Sequence, residues 1–156
     1  MDIRTTGPDD LDTLTDLRVA FIAEVRSLAV EALRDELRAP TRAFVGRHSG
    51  DGSLHSWLAE HAGEPVGAVS LLLYPVPPLP GESRTHDGYV LNMYVDPAHR
   101  RGGAGRALFD ACIGGGEALG VRRMFLIATE AGRPLYERSG FAPNDAHLEL
   151  RLARPC

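Results

Sequence analysis

Arg100-Arg101-Gly102-Gly103-Ala104-Gly105 stands between an Asp96-Pro97 break and a run of helical period. Such a string can hold an anion. Backbone N–H groups at a helix start lack intrahelical partners and form a concave donor array at the positive end of the helix dipole. Glycines let that backbone approach oxygen atoms without a Cβ in the way. Arg100, Arg101 and Arg106 add positive charge around the anion. Taken alone, the same residues also describe a Gly-rich turn with solvated arginines. Two phosphate motifs are excluded. A P-loop needs Gly-Lys-Ser/Thr at its end, and all 17 basic residues of this chain are Arg. A dinucleotide fingerprint needs a third Gly where Gly103-Ala104-Gly105-Arg106-Ala107-Leu108 has Leu108.

The net charge of −4 argues against a nucleic-acid partner. A local basic cluster in an acidic chain suits a small anionic ligand better. The 156 residues fit one domain, 1–156, with the apolar share of a globular protein. No apolar run reaches the roughly 20 residues of a membrane span, and Met1-Asp2-Ile3-Arg4 is not a signal peptide, so a cytoplasmic protein without a membrane partner is expected. Cys112 falls among apolar residues of a helix and reads as a buried thiol; Cys156 is terminal and idle. His48, His55, His61 and His147 lack metal-ligand spacing, so no metal is expected.

The elements that must position the loop follow from periodicity. Residues 2–6 read as a strand, and Leu11 to about residue 29 as a helix opened by Gly7-Pro8-Asp9-Asp10. Leu28, Ala32, Leu33 and Leu37 extend it or form a second helix that ends before Pro40. Ser56–Glu60 and Val66–Tyr74 make a hairpin around Gly63-Glu64-Pro65. Pro75–Gly88 is a long Pro-rich loop, Tyr89–Val95 a strand, and Gly103–Leu119 a helix closed by Gly120. Gly114–Gly116 mark either a break in that helix or a close approach of another backbone. Val121–Thr129 is a strand, Arg133–Ser139 a short helix and His147–Leu152 a last strand. The order is β-α-α-β-β-β-α-β-α-β.

The run Tyr94-Val95-Asp96-Pro97-Ala98-His99-Arg100-Arg101-Gly102-Gly103-Ala104-Gly105 resembles motif A of the GNAT superfamily of N-acetyltransferases, with its Arg/Gln-x-x-Gly-x-Gly/Ala pattern at Arg100, Gly103 and Gly105. Gly132-Arg133-Pro134-Leu135-Tyr136-Glu137-Arg138-Ser139-Gly140-Phe141 is similar to motif B, in the right order downstream. The resemblance implies an α/β (α+β) fold: a central, mostly antiparallel mixed sheet, splayed between its fourth and fifth strands and flanked by helices. It implies acetyl-CoA as co-substrate and no metal. The strand ending at Met93, Tyr94 and Val95 would bear a bulge and offer backbone groups to the pantetheine arm and thioester; Arg100, Arg101, Gly102, Gly103, Ala104, Gly105 and Arg106 would hold the pyrophosphate. Tyr136 matches the general acid. A phenol of reference pKa about 10 stays protonated at neutral pH and can donate to a departing thiolate.

The acceptor side stays open. Glu24, Asn92, Asp87 and His86 are each candidates to face the amine, and water relays the proton in many members of the family. Glu31 and Glu36, on helices that wall the acceptor site in the family, would suit a cationic amine. The Pro-rich loop is either a lid or a rigid connection. The expected activity is transfer of acetyl from acetyl-CoA to a primary amine of a small molecule. Alternatives are a protein or peptide N-acetyltransferase and a non-catalytic acetyl-CoA sensor. Homodimers are common in the family.

Overall fold

The computed structural model describes residues 1–152. The chain runs β1 (Asp2–Thr5), α1 (Leu11–Arg26), α2 (Val30–Gly50), β2 (Leu54–His61), β3 (Glu64–Pro75), β4 (His86–Val95), α3 (Ala104–Ala118), β5 (Met124–Leu126) and α4 (Arg133–Arg138). One five-stranded sheet has the order β1-β2-β3-β4-β5. Its pairs are antiparallel except β4 with β5, which are parallel because α3 carries the chain back across one face before β5 begins. The β2–β3 turn is the two residues Ala62 and Gly63, both at positive φ (52° and 83°), the combination whose twist matches a hairpin.

Alternation along the strands gives the sheet two apolar faces. Leu54, Leu58 and Ala68 pack under Leu14 of α1 and Val45 of α2. On the other face Trp57, Val69, Leu71, Val90 and Val95 meet Leu108, Phe109 and Cys112 of α3 and Tyr136 of α4. Cys112 is fully buried, and burial pushes its thiol up to about 12. No described helix is long and apolar enough to cross a membrane.

Four expectations change. Helix α2 does not end before Pro40; it passes through it to Gly50. An internal Pro costs about 3 kcal/mol, and the helix is anchored on both sides of it. Leu33 packs with Val19 and Ala23 of α1, and Val45 packs on the sheet. Arg38 and Arg42 also reach Asp12 and Asp16 of α1. The strand expected over 121–129 is confined to Met124–Leu126, the three residues that pair with β4. His147–Leu152 is not a strand: its alternation has the period of one, but no ladder partner among the described residues, and Leu148, Leu150 and Leu152 are exposed. Gly114–Gly116 do not break α3. A Cβ on Gly115 would strike the Trp57 ring, and one on Gly116 would lie 2.7 Å from Met124 Sδ, so side chains rather than a backbone set the small size there. Cys156 lies outside the described residues.

Candidate active site

The site begins with one extra residue in β4. Ala68 pairs with Tyr94 and Ser70 with Leu91, so Asn92 and Met93 together face the single residue Val69. Asn92 absorbs this bulge at φ 57°, a region that Asn tolerates better than most residues. A bulge increases local twist and bends its strand. Pairing of β4 with β5 is correspondingly short, Gly88–Val90 against Met124–Leu126. Beyond Val90 and Leu126 the strands part. The main-chain groups of Asn92–Val95 that point away from β3 therefore face an opening rather than a fifth strand. The Asn92 Oδ1 atom is buried without a hydrogen-bond partner among the described residues.

At the end of β4 the chain turns through a 3-10 segment, Pro97–His99, whose Ala98 N–H is capped by Asp96 at 2.8 Å. Arg101 and Gly103 then take positive φ (65° and 87°) and swing the backbone into α3. No side chain caps that helix. The N–H groups of Ala104, Gly105 and Arg106 are thus left without intrahelical acceptors. A Cβ on Gly105 would lie 3.6 Å from Met93 Cε and 3.9 Å from Val95 Cγ2, which fixes the first turn of α3 against the strand end.

The three arginines expected around the anion take different roles. Arg100 turns back: its Nε donates to the Val95 carbonyl at 2.7 Å, its other nitrogen reaches Glu24 at 2.6 Å, and its guanidinium lies over the Tyr94 ring. Arg106 is paired along its own helix with Asp110 at 2.8 Å. Arg101 is exposed and is the member of the three left without a carboxylate among the described residues.

Tyr136 projects from α4 against Phe109, ring centroids 5.1 Å apart, and burial raises its phenol pKa. It lines a cavity of about 700 Å³ along β5, together with Tyr74, Tyr89, Phe125, Ile127 and Ala128. Tyr89 stacks on Phe125 at 5.0 Å, and Tyr74 meets the same ring edge-on at 5.8 Å. These three aromatics form a wall that the spacing of apolar residues did not single out, because it joins β3, β4 and β5.

The candidates for a base fare unequally. Glu24 is held by Arg100. Asp87 is fully buried and clamped: Arg122 binds both its oxygens at 2.9 and 3.0 Å, Arg123 binds at 2.7 Å, and the Tyr74 hydroxyl lies at 3.4 Å. Burial alone would raise the Asp87 pKa, but the two guanidiniums outweigh it and hold the carboxyl below its usual range. His86 is exposed, beside Thr85. Glu31 and Glu36 are exposed on α2. Among the described residues no cluster of His, Cys, Asp and Glu could hold a metal ion.

Comparison with known proteins gives a consistent result. The acetyltransferase (GNAT) family matches residues 19–141. Glucosamine 6-phosphate N-acetyltransferase of Trypanosoma brucei brucei is 29% identical over 90 residues, which are 58% of this chain and 59% of that protein. The chain thus matches about three-fifths of that curated relative's length. A GCN5-related N-acetyltransferase from Ralstonia eutropha superposes with a TM-score of 0.80 at 31% identity, over 99% of this chain and 97% of the other. A protein of Clostridium acetobutylicum described as a predicted acetyltransferase, crystallised with acetyl-CoA, superposes with a TM-score of 0.84 at 21% identity, covering 96% and 95% of the two chains.

Proposed function

The chain belongs to the GNAT acetyltransferase family, and from that premise we propose that it transfers an acetyl group from acetyl-CoA to the primary amine of a small molecule in the cytoplasm. The observation that carries this reading is the parting of β4 and β5 at the Asn92–Met93 bulge, with the uncapped start of α3 at one end and Tyr136 on the cavity that runs along β5.

The residues present fit the co-substrate. An uncapped helix start approached through Gly103 at φ 87°, with open space where a Cβ would stand, suits a pyrophosphate. The N–H groups of Gly102 to Arg106 would hold it, with Arg101 adding charge. The unpaired main-chain edge of Met93–Val95 would hold the pantetheine arm as an added strand is held. Acetyl-CoA supplies the activated acyl group.

The protein's own work is then modest. A strand N–H at the bulge faces the thioester oxygen as charge develops; one preorganised donor of this kind contributes on the order of 3 kcal/mol. Tyr136, kept neutral by its raised pKa, donates its proton to the departing thiolate. Glu24 and Asp87 are both committed to guanidiniums, so a water relay takes the amine proton, and the unpartnered Asn92 Oδ1 accepts an N–H and orients the amine. A cavity of about 700 Å³ matches a small acceptor. The amine named in the trypanosomal relative, glucosamine 6-phosphate, is also small.

Thiol release from acetyl-CoA across a panel of small primary amines tests the reading. Turnover confined to peptide N-termini would replace the small acceptor with a protein, and saturable acetyl-CoA binding with no turnover on any amine would make the chain a sensor. Gly103→Asp should abolish acetyl-CoA binding through backbone strain and like charge; unchanged affinity would remove the loop assignment.

A further inference from the structure

Three arginines among the described residues are half-buried: Arg18, Arg38 and Arg122. Arg38 holds Asp16 and Asp12, and Arg122 holds Asp87. Arg18 has no carboxylate partner among the described residues, and burial, opposed there only by the Tyr89 phenol, pushes its pKa below the usual value. The remaining arginines without a carboxylate, Arg26, Arg34, Arg47, Arg101 and Arg138, are exposed and solvated.

The place of Arg18 gives this isolation a meaning. It lies on the α1 face that packs over β4, its guanidinium 5.7 Å from the Phe21 ring centroid and within electrostatic reach of Tyr89. Tyr89 stacks on Phe125, and both line the 700 Å³ cavity that Tyr136 also lines. The arginines that line that cavity are already matched, Arg123 by Asp87 and Arg133 by Glu137; Arg18 is not among its lining residues and approaches it through Tyr89. A charge partly removed from water without a counter-ion is unfavourable, and the planar guanidinium fork suits two oxygens of one anion. Phe21 and Tyr89 provide apolar flanks that exclude water from such a pair.

We propose that Arg18 is a specificity residue that binds an oxyanion, carboxylate or phosphate, carried by the amine acceptor itself. The acceptor is then a zwitterionic small molecule, with its amine toward Asn92 and its anion toward α1. This rests on the acetyltransferase reading, and the test separates the two.

Matched pairs of amines supply the first arm: an amino acid against the same amine lacking the carboxylate, and an aminoalkyl phosphate against the aminoalcohol. The anionic member should have the higher kcat/KM by about 30-fold or more, the scale of losing one partner of a desolvated charge pair. Whichever pair shows the gap identifies carboxylate or phosphate. Arg18→Gln should erase the gap while leaving the KM for acetyl-CoA and the turnover of neutral amines in place, and Arg18→Lys should restore part of it. Equal kcat/KM within both pairs in the wild type, or equal loss on both members in Arg18→Gln, overturns the proposal. The second arm needs no turnover. Calorimetric titration with the matching deamino carboxylic acid and alkyl phosphate should show saturable binding of one of them to the wild type and none to Arg18→Gln of unchanged melting temperature. Binding with no turnover of any amine would leave Arg18 as an anion site and remove the acetyltransferase reading; no binding of either anion would remove Arg18.

Discussion

Asp87→Asn separates two roles for one carboxylate. Position and residue type alone allow Asp87 to be a base; the structure makes it a clamp that joins the start of β4 to the residues leading into β5. The change keeps the shape and removes the charge. Arg122, only 19% exposed, then loses a bidentate partner, and a charge-assisted bond of that kind contributes about 1.5–3 kcal/mol. Arg123 is 58% exposed, so solvent screening limits its pair to about 1 kcal/mol or less. Together these give about 3 kcal/mol, at the lower edge of what breaking a buried pair costs.

Urea unfolding at neutral pH would read the loss directly as a lower midpoint. The pH dependence has a fixed sign. The folded pKa of Asp87 lies below the unfolded value of about 3.9. Its stabilisation is therefore complete above that value and is lost as pH falls through the folded pKa. Wild type and Asp87→Asn should converge in stability in that acid window and differ most above it. Turnover of the variant, at temperatures where it is folded, should stay within a few-fold of wild type. A stability change under about 0.5 kcal/mol, the range of an ordinary surface substitution, together with abolished turnover, would refute the clamp and reinstate Asp87 as a base.

Tyr136→Phe should lower kcat by about 10²-fold or more and leave acetyl-CoA affinity nearly unchanged, as measured by thiol release and by calorimetry; a loss of folding instead would mark the ring against Phe109 as purely structural. Because burial raises the Tyr136 pKa, the proton-donating form should persist past pH 10, so the alkaline limb of the kcat profile should not fall at the ordinary phenol value. Two adjacent glycines should respond in opposite directions in thermal unfolding. Gly114→Ala, with open space around it, should stabilise α3 by up to about 1 kcal/mol, whereas Gly115→Ala should destabilise by about 1–3 kcal/mol through the Trp57 ring.

Legibility in the sequence follows how local each feature is. The anion loop could be read because its cause is local: glycines at the start of a helical period, after Asp-Pro. The bulge could not be placed as closely, since two residues opposing one is a property of β3 and β4 together. The resemblance assigned it to the strand that ends at Met93–Val95, and the register places it within that strand at Asn92–Met93. Pro40 shows the reverse case. Its local rule ends a helix, and Leu33 and Val45 on either side override the rule through contacts with α1 and the sheet. His147–Leu152 shows that a period of two describes a surface waiting for a partner, without providing the partner. Arg100 was readable as a charge near the loop, but its direction depended on Glu24, 76 residues away.

The two halves of the proposed reaction are built from different material, and this decides which half a sequence exposes. On the donor side the chemistry is done by main chain: bare N–H groups at α3, an unpaired strand edge at Met93–Val95, positive φ at Arg101 and Gly103. Main-chain chemistry needs special backbone, and special backbone needs Gly, Asn and Pro at fixed spacing. On the acceptor side the chemistry is done by side chains from α1, β3, β4 and β5, where Arg18, Tyr74, Tyr89 and Phe125 occupy ordinary helix and strand positions. Nothing in their local sequence separates them from solvated or core residues. What separates Arg18 is a deficit that exists only after folding: a half-buried guanidinium for which the described residues supply no anion. An acceptor that brings its own anion satisfies that deficit and fixes the orientation of its amine in the same contact. Replacing Arg18 should then change which amines are chosen, while the handling of acetyl-CoA, built from backbone on the far side of the bulge, stays as it was.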